Sequence, residues 1–546
     1  MNSTSRRSAN YKPTIWNNEY LQSLNSIYGE KRFLEQAEKL KDEVRMLLEK
    51  TSDPLDHIEL VDVLQRLAIS YHFTEYIDRN LKNIYDILID GRRWNHADNL
   101  HATTLSFRLL RQHGYQVSPE VFRNFMDETG NFKKNLCDDI KGLLSLYEAS
   151  YLLTEGETIM DSAQAFATHH LKQKLEENMN KNLGDEIAHA LELPLHWRVP
   201  KLDVRWSIDA YERRQDMNPL LLELAKLDFN IAQSMYQDEL KELSRWYSKT
   251  HLPEKLAFAR DRLVESYLWG LGLASEPHHK YCRMMVAQST TLISIIDDIY
   301  DVYGTLDELQ LFTHAVDRWD IKYLEQLPEY MQICFLALFN TVNERSYDFL
   351  LDKGFNVIPH SSYRWAELCK TYLIEANWYH SGYKPSLNEY LNQGLISVAG
   401  PHALSHTYLC MTDSLKEKHI LDLRTNPPVI KWVSILVRLA DDLGTSTDEL
   451  KRGDNPKSIQ CHMHDTGCNE EETRAYIKNL IGSTWKKINK DVLMNFEYSM
   501  DFRTAAMNGA RVSQFMYQYD DDGHGVPEGK SKERVCSLIV EPIPLP

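Results

Sequence analysis

The chain has 546 residues, 43% of them hydrophobic, and a formal charge of -17 from 62 Lys and Arg against 79 Asp and Glu. That length exceeds what one compact core usually supports, so two domains are expected. The negative field argues against a nucleic-acid partner or an anionic-membrane surface, and an anionic substrate would need local Arg or a divalent metal to overcome it.

The eight Cys, at 137, 282, 334, 369, 410, 461, 468 and 536, show no C-x-x-C pair or regular spacing, which points to reduced, mostly buried thiols rather than a disulfide framework. No apolar run approaches the roughly 20 residues that span a bilayer, so no membrane span is expected. In chain order, a basic pair, Arg6-Arg7, comes first, with only Met1 to Ser5 ahead of it and so no room there for a targeting peptide. Leu143, Leu144, Leu146, Tyr147 and Tyr151 then show the helical spacing that dominates the chain, while strand-like alternation is scarce, so the fold class is all-α. Asp138-Asp139 is an acid pair with no acid four residues after its first member, and it reads as surface. A polar stretch, Arg213 to Asn218, precedes the apolar run Leu220 to Leu227 and predicts a boundary that separates residues 1–215 from 216–546.

In the second half, Ile295-Ile-Asp297-Asp298-Ile-Tyr300-Asp301 is a hydrophobic helix that abruptly presents three carboxylates, and Asp297 and Asp301 share one face at a spacing of four. Such like charges call for a cation. Mg2+ fits, because it takes one or two carboxylates and fills its other positions with water and phosphate oxygens. Thr290, two turns before Asp297, should look into the space beneath the metal, or else pack as an ordinary β-branched residue. Thr305-Leu-Asp-Glu308 has the pattern of a capping box. Ser397-Val-Ala-Gly400-Pro401 should break a helix and free backbone carbonyls. Pro427-Pro428 precedes a further helix, on which Asp441, Thr445 and Glu449 fall at i, i+4 and i+8, one stripe of oxygen ligands, with Arg438 a turn earlier and Gly453 at the helix end. Cys461-His-Met-His464 suggests soft-metal ligands only superficially, since no second cluster matches it, and it reads as helix surface.

These residues carry a family resemblance. Asp297 to Asp301 resembles the aspartate-rich motif of plant class I terpene synthases, and Asp441 to Glu449 resembles their second metal motif. Arg6-Arg7 with eight residues before Trp16, Leu146-Tyr147-Glu148-Ala149-Ser150, Arg260-Asp261-Arg262 and Asp522-Gly523-His524-Gly525 extend the match over essentially the whole chain, in the form of the angiosperm monoterpene synthase group.

The resemblance implies an N-terminal α-barrel-like domain that is catalytically silent and a C-terminal helical bundle that carries catalysis. It implies three Mg2+ (or Mn2+) ions held by Asp297 and Asp301 on one side and by Asp441, Thr445 and Glu449 on the other, with Asp298 as a supporting hydrogen-bond partner. Arg260, Arg262, Arg438 and Lys457 become candidate diphosphate clamps, and Arg260 and Arg262 should lie in a loop. Trp269 matches a pocket position whose π face would stabilise a carbocation, and Tyr517 is a second candidate, although an extra residue near Asp520-Asp521-Asp522 leaves the choice between Tyr517 and Tyr519 open. Arg6, Arg7 and Trp16 would fold over the active-site mouth.

The implied activity is ionisation of geranyl diphosphate and isomerisation or cyclisation of the cation to a monoterpene, in a plastid and as a monomer or homodimer. Five- and fifteen-carbon substrates remain alternatives. A chain-elongating prenyltransferase would show two Asp-Asp-x-x-Asp motifs, a protonation-initiated cyclase would need an Asp-x-Asp-Asp acid, and a non-catalytic scaffold would leave both acidic stripes unexplained.

Overall fold

The computed structural model describes residues 6–89, 96–177, 180–412, 415–494, 497–519 and 529–545, with backbone only at 448, 494 and 531. Among the described residues every regular element is helical, and the single extended feature is an isolated antiparallel bridge between Met126 and Phe132. The described residues separate into two compact units. The described residues of one lie within 26–235, 489–494 and 537–545, and those of the other within 6–25, 236–488 and 497–536.

The first of these units is built from amphipathic helices. Lys31–Lys50 buries Ala37, Leu40, Val44 and Leu48 at spacings of three and four, leaving its charged face to solvent. Pro54–Arg66 starts with proline in its first turn behind the Asp53 cap. The Leu146–Ser150 segment lies in helix Ile140–Ser150, where Glu148 is buried and accepts from Arg66 at 2.5 Å, so its acid is structural. Asp139 caps that same helix by accepting from the Gly142 N–H at 2.8 Å, which explains the Asp138-Asp139 pair without a ligand.

In the other unit, helices Leu263–Leu273 and Lys280–Asp298 pack backbone to backbone: a Cβ at Gly270 would lie 2.5 Å from the Arg283 carbonyl oxygen. Arg283 is fully buried in this junction and grips Glu239 with two hydrogen bonds of 2.7 and 2.9 Å, while the Tyr267 hydroxyl donates to the same carboxylate at 2.8 Å. The predicted capping box at Thr305 is present, and Gly453 ends helix Pro428–Arg452 at φ 79°. Helix Leu387–Ser397 stops where expected and Gly400–Met411 begins after a left-handed Ala399, φ 59°. There a Cβ on Gly400 would come within 2.9 Å of the Ser434 Cα. Cys461 and His462 prove buried rather than on the surface, because the His462 ring stacks on Tyr476 at 4.1 Å and its Nδ1 pairs with the Thr473 hydroxyl.

His360, His402 and His406 form a buried cluster on helices Ile358–Ser381 and Gly400–Met411, with ring centroids 4.3 Å apart for His402 and His406. Burial pushes His406 down to about 4 and His360 to about 2, with nearby Arg364 adding to both shifts. The unfolded chain binds protons near 6.5 that the folded core refuses. Stability is therefore full above about pH 6.5 and falls by about 1.4 kcal/mol per pH unit for each such group as pH drops towards the folded value. The thermal midpoint should fall between pH 6.5 and 4.5, and fall less steeply in His360→Phe, as followed by circular dichroism.

Candidate active site

The first acidic helix does not continue as a regular α-helix through Asp301. After Asp298 it opens into one turn of π-helix, Ile299–Tyr303, closed by a bond of 2.8 Å from the Gly304 N–H to the Ile299 carbonyl. Asp297 and Asp301 still line one cavity, but Asp298 has no exposed surface. The Asp298 carboxylate accepts from the Arg260 backbone N–H at 2.7 Å and from its Nε at 3.2 Å, and the Tyr11 hydroxyl lies close to it. The same Arg260 reaches forward and pairs with Asp297. Among the described residues no hydrogen bond or ion pair engages the Asp301 side chain. Burial, and next the Asp297 charge, push its carboxyl well above the ordinary range.

Helix Pro428–Arg452 supplies the opposite wall, with Asp441, Thr445 and Glu449 on the same cavity. Its second acid, Asp442, is again fully buried. It accepts from Arg438 at 2.8 Å, the Tyr390 hydroxyl at 2.9 Å and the Ser458 N–H at 3.0 Å, while Arg438 also pairs with Asp441. The two half-sites are built alike: one acid of each pair faces the cavity, and the other fastens an arginine, a backbone N–H and a tyrosine. Burial opposes ionisation of Glu449, but Lys457, Arg438 and Arg452 together hold its carboxyl below the usual range. Lys457 lies between the walls, with its Nζ 3.6 Å from Glu449 Oε2 and its charge favoured by both Glu449 and Asp301.

Beneath these acids lies a cavity of about 160 Å3, whose apolar part includes Trp269, Val286, Ile293, Tyr372, Leu404 and Val437. Thr290 and Tyr517 line it too, with the Tyr517 ring 6.1 Å from Trp269, whereas Tyr519 lies against Arg534. Ser397, Val398, Ala399 and Gly400 bring the helix break to the same wall. Arg260 and Arg262 sit in a loop, but only Arg260 reaches the cavity. Arg262 is buried instead, donating to the Lys12 carbonyl, with half-buried Asp261 and buried Glu265 near its charge. The Asp522-Gly523-His524-Gly525 segment lies outside the described residues.

The N-terminal arm is anchored by charge. Arg6 grips Glu308 with two bonds of 2.8 Å and lies 4.6 Å from the Tyr303 ring, while Arg7 donates to the Asp301 carbonyl and to Asp454, both at 3.0 Å. Trp16 is buried next to Tyr20. Sequence reasoning missed Tyr11, Tyr390, Arg452 and Glu375, and none of them has a local signature. Glu375 comes from helix Ile358–Ser381 and adds its charge to the field around Asp301. The donor set of carboxylates and a hydroxyl, with no ion pair engaging Asp301 among the described residues, suits a hard divalent ion.

Residues 15–191 match the family described as terpene synthase, N-terminal domain, and residues 248–487 match the terpene synthase family, metal binding domain. The chain is 51% identical over 540 residues to a chloroplastic myrcene synthase of Quercus ilex, covering 99% of this chain and 90% of the relative. It is 53% identical over 541 residues to a trans-alpha-bergamotene synthase of Phyla dulcis, covering 98% and 99%. Among solved structures, limonene synthase with 2-fluorolinalyl diphosphate superposes with a TM-score of 0.96 at 44% identity, covering 99% of this chain and 100% of that one. Isoprene synthase from grey poplar (Populus x canescens) in complex with three Mg2+ ions and dimethylallyl-S-thiolodiphosphate gives 0.89 at 43% identity, covering 97% and 100%. The chain belongs to the terpene synthase family and is a class I terpene synthase, a lyase acting on diphosphates, of the monoterpene-synthase-like group.

Asp301 is buried beside Asp297, which opposes its ionisation and sets a stability test. Asp301→Asn should raise the thermal midpoint of the metal-free protein by removing a buried repulsion, while abolishing the stabilisation that Mg2+ with inorganic diphosphate gives the wild type, about 2.7 kcal/mol at a hundredfold excess over Kd. Differential scanning calorimetry reads both effects.

Proposed function

We propose that the chain ionises geranyl diphosphate and releases a monoterpene, olefin or alcohol, together with inorganic diphosphate. The observation that carries this reading is the pairing of two acid half-sites, each with its own cation, on one cavity whose apolar lining includes Trp269. The solved limonene synthase with its linalyl analogue supports the ten-carbon chain length. The bergamotene synthase relative supports a longer substrate as the second reading. The chloroplastic name of the oak relative supports a plastid location.

Asp297, Asp301, Asp441, Thr445 and Glu449 would hold three Mg2+ (or Mn2+) ions, as the isoprene synthase complex holds three Mg2+. When bound, the metal neutralises charge that develops on the leaving diphosphate. Asp297 and Asp441 would turn their carboxylates from Arg260 and Arg438 towards that charge, and the two guanidiniums, with Lys457, would turn to phosphate oxygens. No cation is left unpaired in either state. The carbon–oxygen bond then breaks heterolytically, with its electron pair leaving on the diphosphate oxygen. The allylic cation stays against the faces of Trp269 and Tyr517, each worth about 0.5–2 kcal/mol, until it loses a proton to give an olefin or captures one water, which then loses a proton, to give an alcohol. Residues 216–546 would carry this chemistry, and residues 1–215 would contribute the arm that covers it.

Gas chromatography of volatiles formed from five-, ten- and fifteen-carbon diphosphates tests the reading, and monoterpene from geranyl diphosphate is the expected outcome. Asp297→Ala should cut turnover by a factor on the order of a thousand with the helical content unchanged, a loss of about 4 kcal/mol of transition-state stabilisation. Removal of residues 1–16 should reduce cyclic product more than diphosphate release.

A further inference from the structure

The parallel between the half-sites is incomplete in one respect. The tyrosine that supports Asp442 is Tyr390, which is buried in helix Leu387–Ser397. The tyrosine that supports Asp298 is Tyr11, on the N-terminal arm, four residues after Arg7. Its ring also lies 5.3 Å from the Arg260 guanidinium and 5.7 Å from that of Arg452, and the carbonyl of the next residue, Lys12, accepts from Arg262. One half-site is thus built permanently into the core, whereas the other is completed only when the arm is seated.

We propose that Tyr11 is a positioning residue for the first half-site: its hydroxyl fixes Asp298 and its ring fixes Arg260, so that the diphosphate-facing side of Arg260 and the cavity face of Asp297 are set only with the arm in place. The assignment rests on the proposed function for the identity of the anion, but the arm contact stands without it. Removing the hydroxyl leaves Asp298 a buried carboxylate with one fewer donor, and the cost falls on the arginine that shares it. Tyr11 touches no reacting atom in this role.

The test compares Tyr11→Phe, Tyr390→Phe and Asp298→Asn in the full chain. Calorimetric titration with inorganic diphosphate in excess Mg2+ should show about tenfold weaker binding for Tyr11→Phe, the size expected when a buried charged acceptor loses one donor. The effect should appear in KM for the prenyl diphosphate more than in kcat, with the thermal midpoint little changed. In the Asp298→Asn background, Tyr11→Phe should add nothing further, since the two residues form one contact. Tryptic cleavage after Arg7, which needs no ligand, should be several-fold faster in Tyr11→Phe and unchanged in Tyr390→Phe.

Wild-type affinity and wild-type cleavage in Tyr11→Phe, or full additivity with Asp298→Asn, would overturn the assignment. A wild-type chain that binds no magnesium diphosphate would instead overturn the proposed function, and the cleavage comparison would still decide the role of Tyr11.

Discussion

Carboxylates crowd into one half-buried volume here, and the rest of the site is organised by the need to keep that charge bearable. Asp297, Asp301, Asp441 and Glu449 converge on one cavity, Glu375 adds its field, and the chain answers with Arg260, Arg438 and Lys457. The answer falls short, since Arg260 and Arg438 each serve two acids and no ion pair engages Asp301 among the described residues. A site neutral without its ligand would bind a divalent metal weakly, and a site with no internal cations would struggle to fold, because isolated charges in low dielectric cost several kcal/mol each. Partial pairing sits between these limits and leaves each cation available to a phosphate oxygen once its acid is drawn elsewhere.

The rigid part of this arrangement lies behind the reactive part. Asp298 and Asp442 never reach the cavity, yet they hold the two arginines at fixed positions through backbone N–H groups and tyrosines. The chamber below is equally constrained. Close backbone packing at Gly270 and Gly400 sets the distance between the helices that carry it, and left-handed Ala399 turns the wall between two helices inward. Such strain is tolerated because the packed helices on either side leave the backbone no alternative.

The sequence made the periodic features readable and left the convergent ones hidden. Asp441, Thr445 and Glu449 announce themselves because three oxygen ligands on one stripe of a helix have no ordinary ion-pair explanation, and the helix break at Gly400-Pro401 follows from backbone chemistry alone. By contrast, the spacing of Asp297 and Asp301 gave no sign of the π turn, which depends on Gly304 closing the helix against Leu309. Arg262 resembles Arg260 in sequence, but Asp261, Glu265 and the Lys12 carbonyl claim it. Cys461 and His462 read as surface because a short polar motif carries no trace of the Tyr476 ring that covers it. Tyr390 and Glu375 are single residues in unremarkable segments, Tyr11 is one of the eight between Arg7 and Trp16, and only tertiary structure brings them to the acids.

The way the two units share the chain bears on how the protein is made. The arm is made before the helices that receive it, since Arg7 pairs with Asp454, a separation of 447 residues, and Asn230 likewise waits 313 residues for the main chain of Ile543. Neither unit can finish assembling during synthesis, and both must close long loops afterwards. Until then the amphipathic helices made early keep exposed faces, so the newborn chain should depend on chaperones far more than its finished stability would suggest.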